Sequence, residues 1–456
     1  MDITALVAAQ RRYFESDATK PLAMRQAALT RLLQAVAHNE DAIAQALHKD
    51  LGKDPYESYI TETSLAADEI RFARSHLSCW MRPRRVLPSI SQMPADCQVI
   101  SEPYGVTLIM APWNYPFQLT MIPLAAALSA GNCVIIKPSA YAPATSQLVA
   151  DIIAATFRPE YVAVIQGGRQ ENTELLKQRF DYIFFTGSVE VGKLVMADAA
   201  ANLTPVTLEL GGKRPCIIDA TADIDAAARR IVFGKLVNAG QTCVAPDYCW
   251  VDARLHDLFI AALKRQMTLA LGEAPLTNPE YPHIVNAKHY QRIMGLIDPG
   301  KTVHGGQGDG VRIAPTIIDG AGYGDACMQQ EIFGPVLPVM SYHDVSEAIA
   351  AIKAHPQPLA CYIFTSDPGF EQRLLSSVSF GGGCVNDTLL HLSNPRMPFG
   401  GVGASGMGHY HGRYGFDTFS HQKSVVRRMS IIDDPLRYHP YTPLKNRITR
   451  FLVPLK

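Results

Sequence analysis

Two apolar runs, Val106-Thr107-Leu108-Ile109-Met110 and Cys133-Val134-Ile135-Ile136, decide the fold that we predict for this chain. Each run has the length and the apolar character of a buried strand, and residues 118–128 between them have the pattern of a helix. The same alternation continues downstream, with one strand and one helix about every 20 to 30 residues. Short apolar strands that alternate with helices are typical of a parallel, doubly wound sheet. The predicted fold class is therefore α/β.

The predicted elements extend on both sides of these two strands. Before them, helices are predicted at 21–50 and 56–76, and residues 82–103 form a connector that ends in an exposed extended strand. After them, the sheet continues with strands at 161–165, 182–185 and 205–210 and helices at 144–156, 171–180 and 189–201. A second α/β unit contains helices at 224–237 and 256–271 and strands near 248–251, 313–317, 336–340, 361–364 and 384–386. The rest is predicted as a loop at 391–412, a return toward a strand at 416–426 and an irregular arm from Asp433.

The residues directly after the strands are the candidate binding residues, because ligands of such sheets bind beyond the carboxyl ends of the strands. Five segments occupy these positions: Pro112-Trp113-Asn114, Lys137-Pro138-Ser139, Gln166-Gly167-Gly168, Thr186-Gly187-Ser188 and Glu209-Leu210-Gly211-Gly212. One edge of the sheet therefore gathers an amide, an ammonium group, several glycines and a carboxylate. We interpret it as a ligand-binding edge.

Two segments of this edge suit a nucleotide. The segment Thr186 to Gly192 follows a strand and opens a helix, so its backbone N–H groups could bind a diphosphate. Its spacing, Gly-x-x-x-x-Gly, differs from the common dinucleotide fingerprint, and a tight-packing turn gives the same pattern. Lys137 could bind a ribose or a phosphate, or it could be a solvated lysine at a strand end. No acid follows in Ser139-Ala140-Tyr141, so we expect NADP to be tolerated beside NAD.

A single thiol, Cys243, closes the run Phe233-Gly234-Lys235-Leu236-Val237-Asn238-Ala239-Gly240-Gln241-Thr242. The preceding helix leads to a small polar turn, where free backbone N–H groups can stabilise a soft nucleophile. An arbitrary cysteine is more often a buried structural residue, and Cys249, within a predicted strand, keeps that interpretation. Glu209, at the end of an apolar strand, is a candidate general base, and Asn114 is a candidate oxyanion donor.

The composition argues against several classes of function. The 456 residues include 42 basic and 42 acidic ones, and this balance disfavours nucleic acid or an anionic membrane as the main partner. The length predicts two or three domains. The nine cysteines show neither a disulfide framework nor zinc-ligand spacing, so we expect reduced thiols, no metal and a cytoplasmic location. There is no signal-peptide core and no apolar segment of about 20 residues, so no membrane span is expected.

In their order along the chain, these segments resemble the motifs of the aldehyde dehydrogenase superfamily, and the resemblance covers almost the whole chain. The motifs are Pro112-Trp113-Asn114-Tyr115-Pro116, Lys137-Pro138-Ser139, Phe185-Thr186-Gly187-Ser188, Glu209-Leu210-Gly211-Gly212-Lys213, Gly240-Gln241-Thr242-Cys243 and Glu331-Ile332-Phe333-Gly334-Pro335. Three further segments are similar to the class 3 branch, which includes fatty, aromatic and coniferyl aldehyde dehydrogenases. These segments are Gly383 to Asp387, Gly406 to Gly412 and Phe416 to His421.

The resemblance implies a role for each motif. Cys243 would be the nucleophile, Asn114 with the Cys243 backbone N–H the oxyanion hole, and Glu209 the base that activates the deacylating water. The residues that would bind the cofactor, NAD or NADP, are Trp113, Lys137, Gly187, Ser188, Gly192, Leu210, Glu331 and Phe333. In the family, an acid often lies near the adenosine ribose, where this chain has Ala140.

The resemblance also implies three structural parts and a homodimer. A dinucleotide-binding domain would comprise residues 1–85 and 104–210, and a catalytic domain would comprise residues 211–405. Residues 86–103 and 406–456 would form a small β oligomerisation element and a C-terminal arm. We expect no membrane-anchoring C-terminal helix of the kind that some relatives have.

The predicted function is NAD(P)-dependent oxidation of an aldehyde to the carboxylic acid through a cysteine thiohemiacetal and a thioester. A medium-chain or long-chain aliphatic aldehyde or an aromatic aldehyde is the expected substrate. The alternatives are a CoA-acylating aldehyde dehydrogenase, which Glu209 disfavours, and a non-catalytic binding protein that retains the fold. A cysteine hydrolase is a third alternative, and the sequence does not place His409 and His411 relative to Cys243.

Overall fold

The computed structural model describes residues 2–429, 431 and 433–454. The strands of these residues are β1 (Arg84–Val86), β2 (Ala95–Pro103), β3 (Val106–Met110), β4 (Cys133–Lys137), β5 (Val162–Val164), β6 (Tyr182–Thr186), β7 (Val206–Glu209), β8 (Pro215–Ile218), β9 (Tyr248–Asp252), β10 (Thr302–His304), β11 (Thr316–Asp319), β12 (Val336–Tyr342), β13 (Ala360–Phe364), β14 (Gly382–Val385), β15 (Gly406–Met407) and β16 (Ser420–Arg428).

Helices precede, connect and follow these strands. They are α1 (Ile3–Glu15), α2 (Leu22–His38), α3 (Glu40–Leu51), α4 (Pro55–Ser58), α5 (Ser64–Trp80), α6 (Gln118–Ala130), α7 (Pro143–Thr156), α8 (Arg169–Leu176), α9 (Val189–Ala200), α10 (Ile224–Leu236), α11 (His256–Leu271), α12 (Ala287–Met294), α13 (Ala326–Gln329), α14 (Val345–Lys353), α15 (Pro368–Ser377), α16 (Gly412–Thr418) and α17 (Pro443–Leu452). A π-helical turn, Tyr59–Thr63, joins α4 to α5.

The strands form three sheets. The first has the order β15-β7-β6-β3-β4-β5 and is parallel except for β15. The second has the order β10-β11-β12-β9-β8-β13-β14 and is parallel except for β10. The third, β1-β2-β16, is antiparallel. The predicted α/β class with a doubly wound parallel sheet is confirmed.

The core of the first sheet contains the two runs on which the prediction rested. Every residue of β3 and β4 is buried, as expected for central strands that are covered by helices on both faces. All residues of α6 are buried as well, and a helix that is apolar on all sides must be enclosed by other elements. The loops at the carboxyl ends of these strands are therefore held on a rigid base.

Some of the predicted elements differ from the structure. The helix predicted at 21–50 is divided at Asn39, whose side-chain amide donates to the Ala35 carbonyl oxygen at 2.8 Å. Such local side-chain bonds compete with helix continuation. The prediction that the chain returns toward a strand at 416–426 is wrong at its start. Phe416 lies in α16, and the strand begins at Ser420. The loop predicted at 391–412 contains β15, which pairs with Leu208 and Glu209 of the first sheet.

The C-terminal arm predicted from Asp433 contains a helix, α17, with no buried residue. The predicted C-terminal part, 406–456, includes residues 430, 432, 455 and 456, which lie outside the described residues. Within the part of the chain that the structure describes, no helix combines the length and the apolar character that a membrane span requires.

Candidate active site

A cavity of about 710 Å³ opens at the carboxyl ends of the strands of the first sheet. Nine of the eleven site residues predicted from the sequence line it: Trp113, Asn114, Gly187, Ser188, Glu209, Leu210, Cys243, Glu331 and Phe333. They come from segments that are more than 200 residues apart in the chain. Folding thus brings an amide, a carboxylate, a thiol and a helix start to one cavity.

The turn that carries Cys243 has a left-handed backbone. Asn238, Ala239 and Gly240 have φ angles of 52°, 51° and 74°. Non-glycine residues pay about 1–3 kcal/mol each for such angles, so neighbouring groups must hold the turn. The side-chain amide of Asn238 donates to the carbonyl oxygen of Asn114 at 2.8 Å, which joins the turn to the segment that follows β3.

Gly240 allows this turn to approach the turn that carries Glu331. A Cβ atom at residue 240 would lie 2.3 Å from the carbonyl oxygen of Gly334, so any side chain would force the two turns apart. The φ angle of 74° also favours glycine at this position. Cys243 and Glu331 therefore share one cavity because residue 240 has no side chain.

The Cys243 thiol is half-buried in the wall of the cavity. Burial raises the pKa of the thiol to about 12; the Arg214 guanidinium opposes this rise, and the carboxylates of Glu331 and Glu209 add to it. The thiol is therefore protonated at neutral pH, and its nucleophilic form requires a base or a change in the surrounding charges.

Glu209 is the last residue of β7 and only 3% exposed. Neither of its carboxylate oxygens has a hydrogen-bond partner among the described residues. Burial raises its pKa well above the ordinary value of a glutamate. An unpaired, buried carboxylate is costly to maintain, and such groups are concentrated at functional sites. Glu209 is thus suited to accept a proton from a water molecule in the cavity.

Asn114 is buried, and one of its two side-chain N–H groups donates to the Gln241 carbonyl oxygen at 3.1 Å. The amide has a second N–H group that can donate to a ligand in the cavity. The Asn114 carbonyl oxygen also accepts a bond from the Lys53 ammonium at 3.2 Å. Bonds from two directions therefore fix the segment that carries this amide.

Lys53 forms an ion pair with Glu62 at 2.5 Å, and both side chains are fully buried. Glu62 lies in the π-helical turn, a rare conformation that is frequent at functional sites. Its second oxygen accepts bonds from the backbone N–H groups of Phe117 at 2.9 Å and Gln118 at 3.1 Å. The ion pair thus holds the start of α6 and, through Lys53, the Asn114 segment.

Glu331 faces the cavity and forms an ion pair with Arg214, which is fully buried. Burial raises the pKa of Glu331, and the Arg214 guanidinium opposes this rise. The carboxylate lies against the backbone of Gly211, where a Cβ atom would be 2.0 Å from one of its oxygens. Only glycine at residue 211 leaves room for Glu331 in this position.

The start of α9 fits an anionic group. Gly187 and Ser188 precede this helix and line the cavity, and the Ser188 hydroxyl accepts a bond from the Val191 N–H at 3.4 Å. The remaining N–H groups of the first turn have no partner within the helix and carry a partial positive charge. The Lys193 side chain lines the same side of the cavity.

Trp113 and Phe333 form an aromatic wall of the cavity, with ring centroids 5.3 Å apart in an edge-to-face arrangement. His289 extends this wall at 5.2 Å from Trp113, and burial lowers its pKa to about 4, so its ring is neutral. A helix start for a diphosphate, a carboxylate for ribose hydroxyl groups and an apolar wall for a ring together fit a nicotinamide dinucleotide.

Two predicted cofactor residues do not line the cavity. The Lys137 ammonium donates to the carbonyl oxygens of Pro138 at 2.8 Å and Gly167 at 2.7 Å, at the carboxyl end of β4. Gly192 lies inside α9, where a Cβ atom would meet the Leu210 side chain at 2.7 Å. Glycine at residue 192 therefore permits close packing of the helix against the residue after β7.

A second, smaller cavity of about 240 Å³ reaches Cys243 from another side. Its wall is mostly apolar and includes the side chains of Leu65, Phe233, Val237, Leu389, Leu390 and Leu392. Leu119, Cys243, Phe399 and Tyr410 line both cavities. The thiol thus lies at the boundary between the larger cavity, which contains the charged groups, and the smaller apolar one.

The model of the aldehyde dehydrogenase family matches residues 1–425. The chain belongs to the aldehyde dehydrogenase family. It is 45% identical to the 4,4'-diaponeurosporen-aldehyde dehydrogenase of Staphylococcus aureus over 94% of each chain. It is 40% identical to bovine aldehyde dehydrogenase family 3 member B1, over 96% of this chain and 94% of that protein.

Solved structures of aldehyde dehydrogenases share this fold. The substrate-bound state of Staphylococcus aureus AldH has a TM-score of 0.97 at 43% identity, with 99% of each chain covered. Indole-3-acetaldehyde dehydrogenase in complex with NAD⁺ has a TM-score of 0.86 at 26% identity, with 93% of this chain and 88% of that chain covered.

These comparisons confirm the predicted family, its class 3 branch and the predicted oxidation of an aldehyde to the carboxylic acid. The aldehyde dehydrogenase is an oxidoreductase that oxidises an aldehyde to the carboxylic acid, and it uses a nicotinamide cofactor. Sequence reasoning did not identify Arg214, the Lys53–Glu62 pair or the apolar cavity of this enzyme. The sequence offered one signal for Arg214: it stands directly before the apolar strand β8, and a cation that is buried beside such a strand needs a partner.

Proposed function

We propose that Cys243, Asn114 and Glu209 catalyse the oxidation. The observation that carries this proposal is that Cys243 shares one cavity with a buried carboxylate, Glu209, that has no hydrogen-bond partner among the described residues. In the first step, the Cys243 thiolate adds to the aldehyde carbon and forms a thiohemiacetal. The Asn114 side chain and the Cys243 backbone N–H donate to the oxyanion that develops on the carbonyl oxygen.

The second half of the proposed reaction is hydrolysis of a thioester. A nicotinamide held beside Trp113 and Phe333 would supply the acceptor for the hydride of the former aldehyde carbon, and loss of this hydride would leave a thioester on Cys243. Glu209 takes a proton from a water molecule in the cavity, the resulting hydroxide attacks the thioester carbon, and the Cys243 thiolate leaves. Aldehyde, water and NAD(P)⁺ thus yield the carboxylic acid, NAD(P)H and a proton.

For the cofactor, we propose that the enzyme accepts both NAD and NADP. Gly187, Ser188 and the first turn of α9 would bind the diphosphate, and Glu331 would bind the nicotinamide ribose beside Trp113 and Phe333. The residues Ser139-Ala140-Tyr141 after β4 provide no carboxylate that would repel a 2′-phosphate near Lys137. A KM for NADP that exceeds the KM for NAD by several orders of magnitude would contradict this proposal.

For the substrate, we propose an apolar aldehyde with a medium or long aliphatic chain or an aromatic group. The apolar cavity supports this proposal, because it leads to Cys243 and would remove such a group from water at about 25 cal/mol per Å² of buried apolar surface. The relative from Staphylococcus aureus is named as 4,4'-diaponeurosporen-aldehyde dehydrogenase, which agrees with an apolar substrate class.

For the organisation of the chain, we propose the three parts that the family implies. Residues 1–85 and 104–210 would bind the cofactor, 211–405 would carry the nucleophile, and 86–103 with 406–456 would join two copies in a homodimer. The third sheet supports the dimer, since β16 forms its edge and exposes Val425 and Val426. Each of the nine cysteines is a free thiol, which supports the cytoplasm as the proposed location.

A CoA-acylating dehydrogenase remains the alternative reaction, with CoA in place of water as the acceptor of the acyl group. The unpaired Glu209 favours water, because a thiol acceptor needs no base of this kind to attack a thioester. Production of NADH from apolar aldehydes in the presence and absence of CoA, with identification of the acid or the acyl-CoA, distinguishes the two reactions.

The substitution Cys243→Ala tests the proposed nucleophile. We expect it to abolish NAD(P)H formation from every aldehyde, since no thiohemiacetal can form, while the unfolding temperature changes little. The matched control is Cys384→Ala, because Cys384 is also half-buried with a raised pKa but does not line either cavity. Activity that survives in the Cys243 variant, or that is lost in the control variant at an unchanged unfolding temperature, would contradict the assignment.

A further inference from the structure

Arg214 is the largest fully buried side chain of the described residues, and the proposed chemistry does not use it. It lies directly before β8, in the loop that follows Glu209. A guanidinium group has five N–H donors and always carries a positive charge in proteins. Burial of such a group is costly unless its donors and its charge have partners.

All five donors of Arg214 have a partner. Its Nε donates to the Ala245 carbonyl oxygen at 2.8 Å, and its Nη2 donates to the Thr242 carbonyl oxygen at 3.4 Å. These two carbonyl groups lie on either side of Cys243 in the chain. The guanidinium therefore holds the turn of the nucleophile from both sides.

The remaining donors contact the carboxylates of the cavity wall. Nη1 donates to the Gly212 carbonyl oxygen and to Glu331, and Nη2 lies 3.5 Å from the Asp247 carboxylate. Asp247 also forms a salt bridge with Lys213. Among the described residues, Glu331 forms a salt bridge with Arg214 and with no second cation. The side chain of Glu331 is 25% exposed and can therefore exchange partners, whereas Arg214 and Asp247 are fully enclosed.

We propose that Arg214 is a positioning residue that couples the two halves of the site: it holds the Cys243 turn, and it loses the Glu331 carboxylate as a partner when that carboxylate binds the cofactor. This inference rests on the proposed roles of Cys243 and Glu331. It assigns to one buried arginine the communication between cofactor binding and the reactivity of the nucleophile.

The physical reason is the charge balance around the thiol. While Glu331 is paired with Arg214, its negative charge cancels much of the guanidinium charge that Cys243 senses. When the Glu331 carboxylate turns toward a ribose hydroxyl, the guanidinium keeps only the shared Asp247, and the field at Cys243 becomes more positive. A more positive field favours the thiolate, and by linkage the thiolate favours the state in which the cofactor is bound.

Other titratable groups also face the thiol and must be considered. They are Glu209 at the end of β7, Tyr115 in the segment after β3, Tyr410 before α16, and Arg214 and Glu331 themselves. Burial raises the pKa of Glu209 and of both tyrosines well above their ordinary values, so the tyrosines stay neutral at neutral pH. Among these groups, the Arg214–Glu331 pair is the one whose charges oppose each other at the thiol.

The test measures the alkylation of Cys243 by iodoacetamide against pH, with the labelled peptide identified by mass spectrometry. In the full-length enzyme without cofactor, we expect Glu331→Gln to lower the midpoint of the alkylation profile by about one pH unit. This shift corresponds to about tenfold faster alkylation below the midpoint, because the opposing carboxylate has been removed. Arg214→Met should raise the midpoint, and Arg214→Lys should restore part of the effect. The matched control is Arg25→Lys, since Arg25 is a buried arginine that donates to carbonyl oxygens far from Cys243.

Addition of NAD provides the second arm of the experiment. We expect the acceleration of alkylation by NAD to be at least about three times greater in the wild type than in Glu331→Gln, where the carboxylate is already absent. The charge of the nicotinamide ring acts in both proteins, so only the difference between them reports the coupling. Should Arg214→Met fail to fold, the Glu331 variant decides the question, because its side chain is partly exposed and keeps its size.

An unchanged alkylation midpoint in Glu331→Gln, or equal acceleration by NAD in both proteins, would overturn the coupling and leave the proposed reaction intact. Full activity in Cys243→Ala would instead overturn the proposed function itself. The two failures are therefore distinguishable.

Discussion

The regions around Glu62 and Glu209 each contain a buried carboxylate, and the two carboxylates differ in every polar contact. Glu62 is paired with the Lys53 ammonium at 2.5 Å and accepts bonds from two backbone N–H groups at the start of α6. Glu209 lies at the end of β7 without a partner for either oxygen among the described residues. The first region is a closed ion-pair network, and the second faces the cavity that contains the thiol.

The difference separates a structural charge from a reactive one. A buried carboxylate that is paired with an ammonium group and with backbone N–H groups can fix the backbone that it binds. A buried carboxylate without partners has both oxygens free to accept a proton, and it is unfavourable for folding. One region thus positions Asn114, and we infer that the other supplies the base. Three predictions test this contrast.

The largest effect is expected for catalysis by Glu209→Gln. The amide cannot accept a proton from water, so we expect thioester hydrolysis to slow by about 10²–10⁴-fold, which is about 3–5 kcal/mol. Rapid-quench kinetics should show a burst of NADH, and mass spectrometry should show acyl-enzyme on Cys243. The control is Glu160→Gln, an exposed carboxylate that lines neither cavity. Wild-type turnover without acyl-enzyme in the Glu209 variant would remove it from the mechanism.

A comparable loss of stability is expected for Lys53→Met. The substitution leaves Glu62 charged and without its partner, so the free energy of unfolding should fall by about 3–5 kcal/mol in urea denaturation. The double variant Lys53→Met/Glu62→Gln should recover part of this loss, because no unpaired charge remains. Arg71→Met is the control, since its ion pair with Asp68 is exposed and worth at most about 1 kcal/mol. Equal losses for Lys53→Met and Arg71→Met would show that burial of the pair is energetically unimportant.

The smallest effect is expected for the stability of Glu209→Gln as a function of pH. Burial raises the pKa of Glu209 in the folded state above its value in the unfolded state. The stability contributed by this group is therefore fully present below the unfolded pKa and is lost as the pH rises through the folded pKa. Wild type and variant should unfold alike near pH 4, at about the ordinary pKa of a glutamate, and the variant should be more stable by about 1–3 kcal/mol near pH 9. Urea denaturation at both pH values measures this difference, and a difference that does not grow with pH would contradict the unpaired state of Glu209.

The order of apolar runs was sufficient to predict the α/β class, because buried parallel strands require continuous apolar segments that helices separate. The rule that ligands bind beyond the carboxyl ends of strands then selected Asn114, Glu209 and the start of α9. The structure brings these three to one cavity. The roles of the individual residues stay predictions, and Lys137 and Gly192 lie outside the lining of the cavity.

What the sequence by itself determined is the set of local features: the strands, the helices, the turn before Cys243 and the family to which the chain belongs. Each depends on residues that are close in the chain or on a pattern that repeats along it. Only the tertiary structure decided which buried charges are paired. Lys53, Glu62 and Asn114 meet across 61 residues, and Arg214 reaches Glu331 across 117 residues. Hydrogen bonds of this kind act over about 3 Å in space, and the spacing of residues along a sequence does not encode that distance.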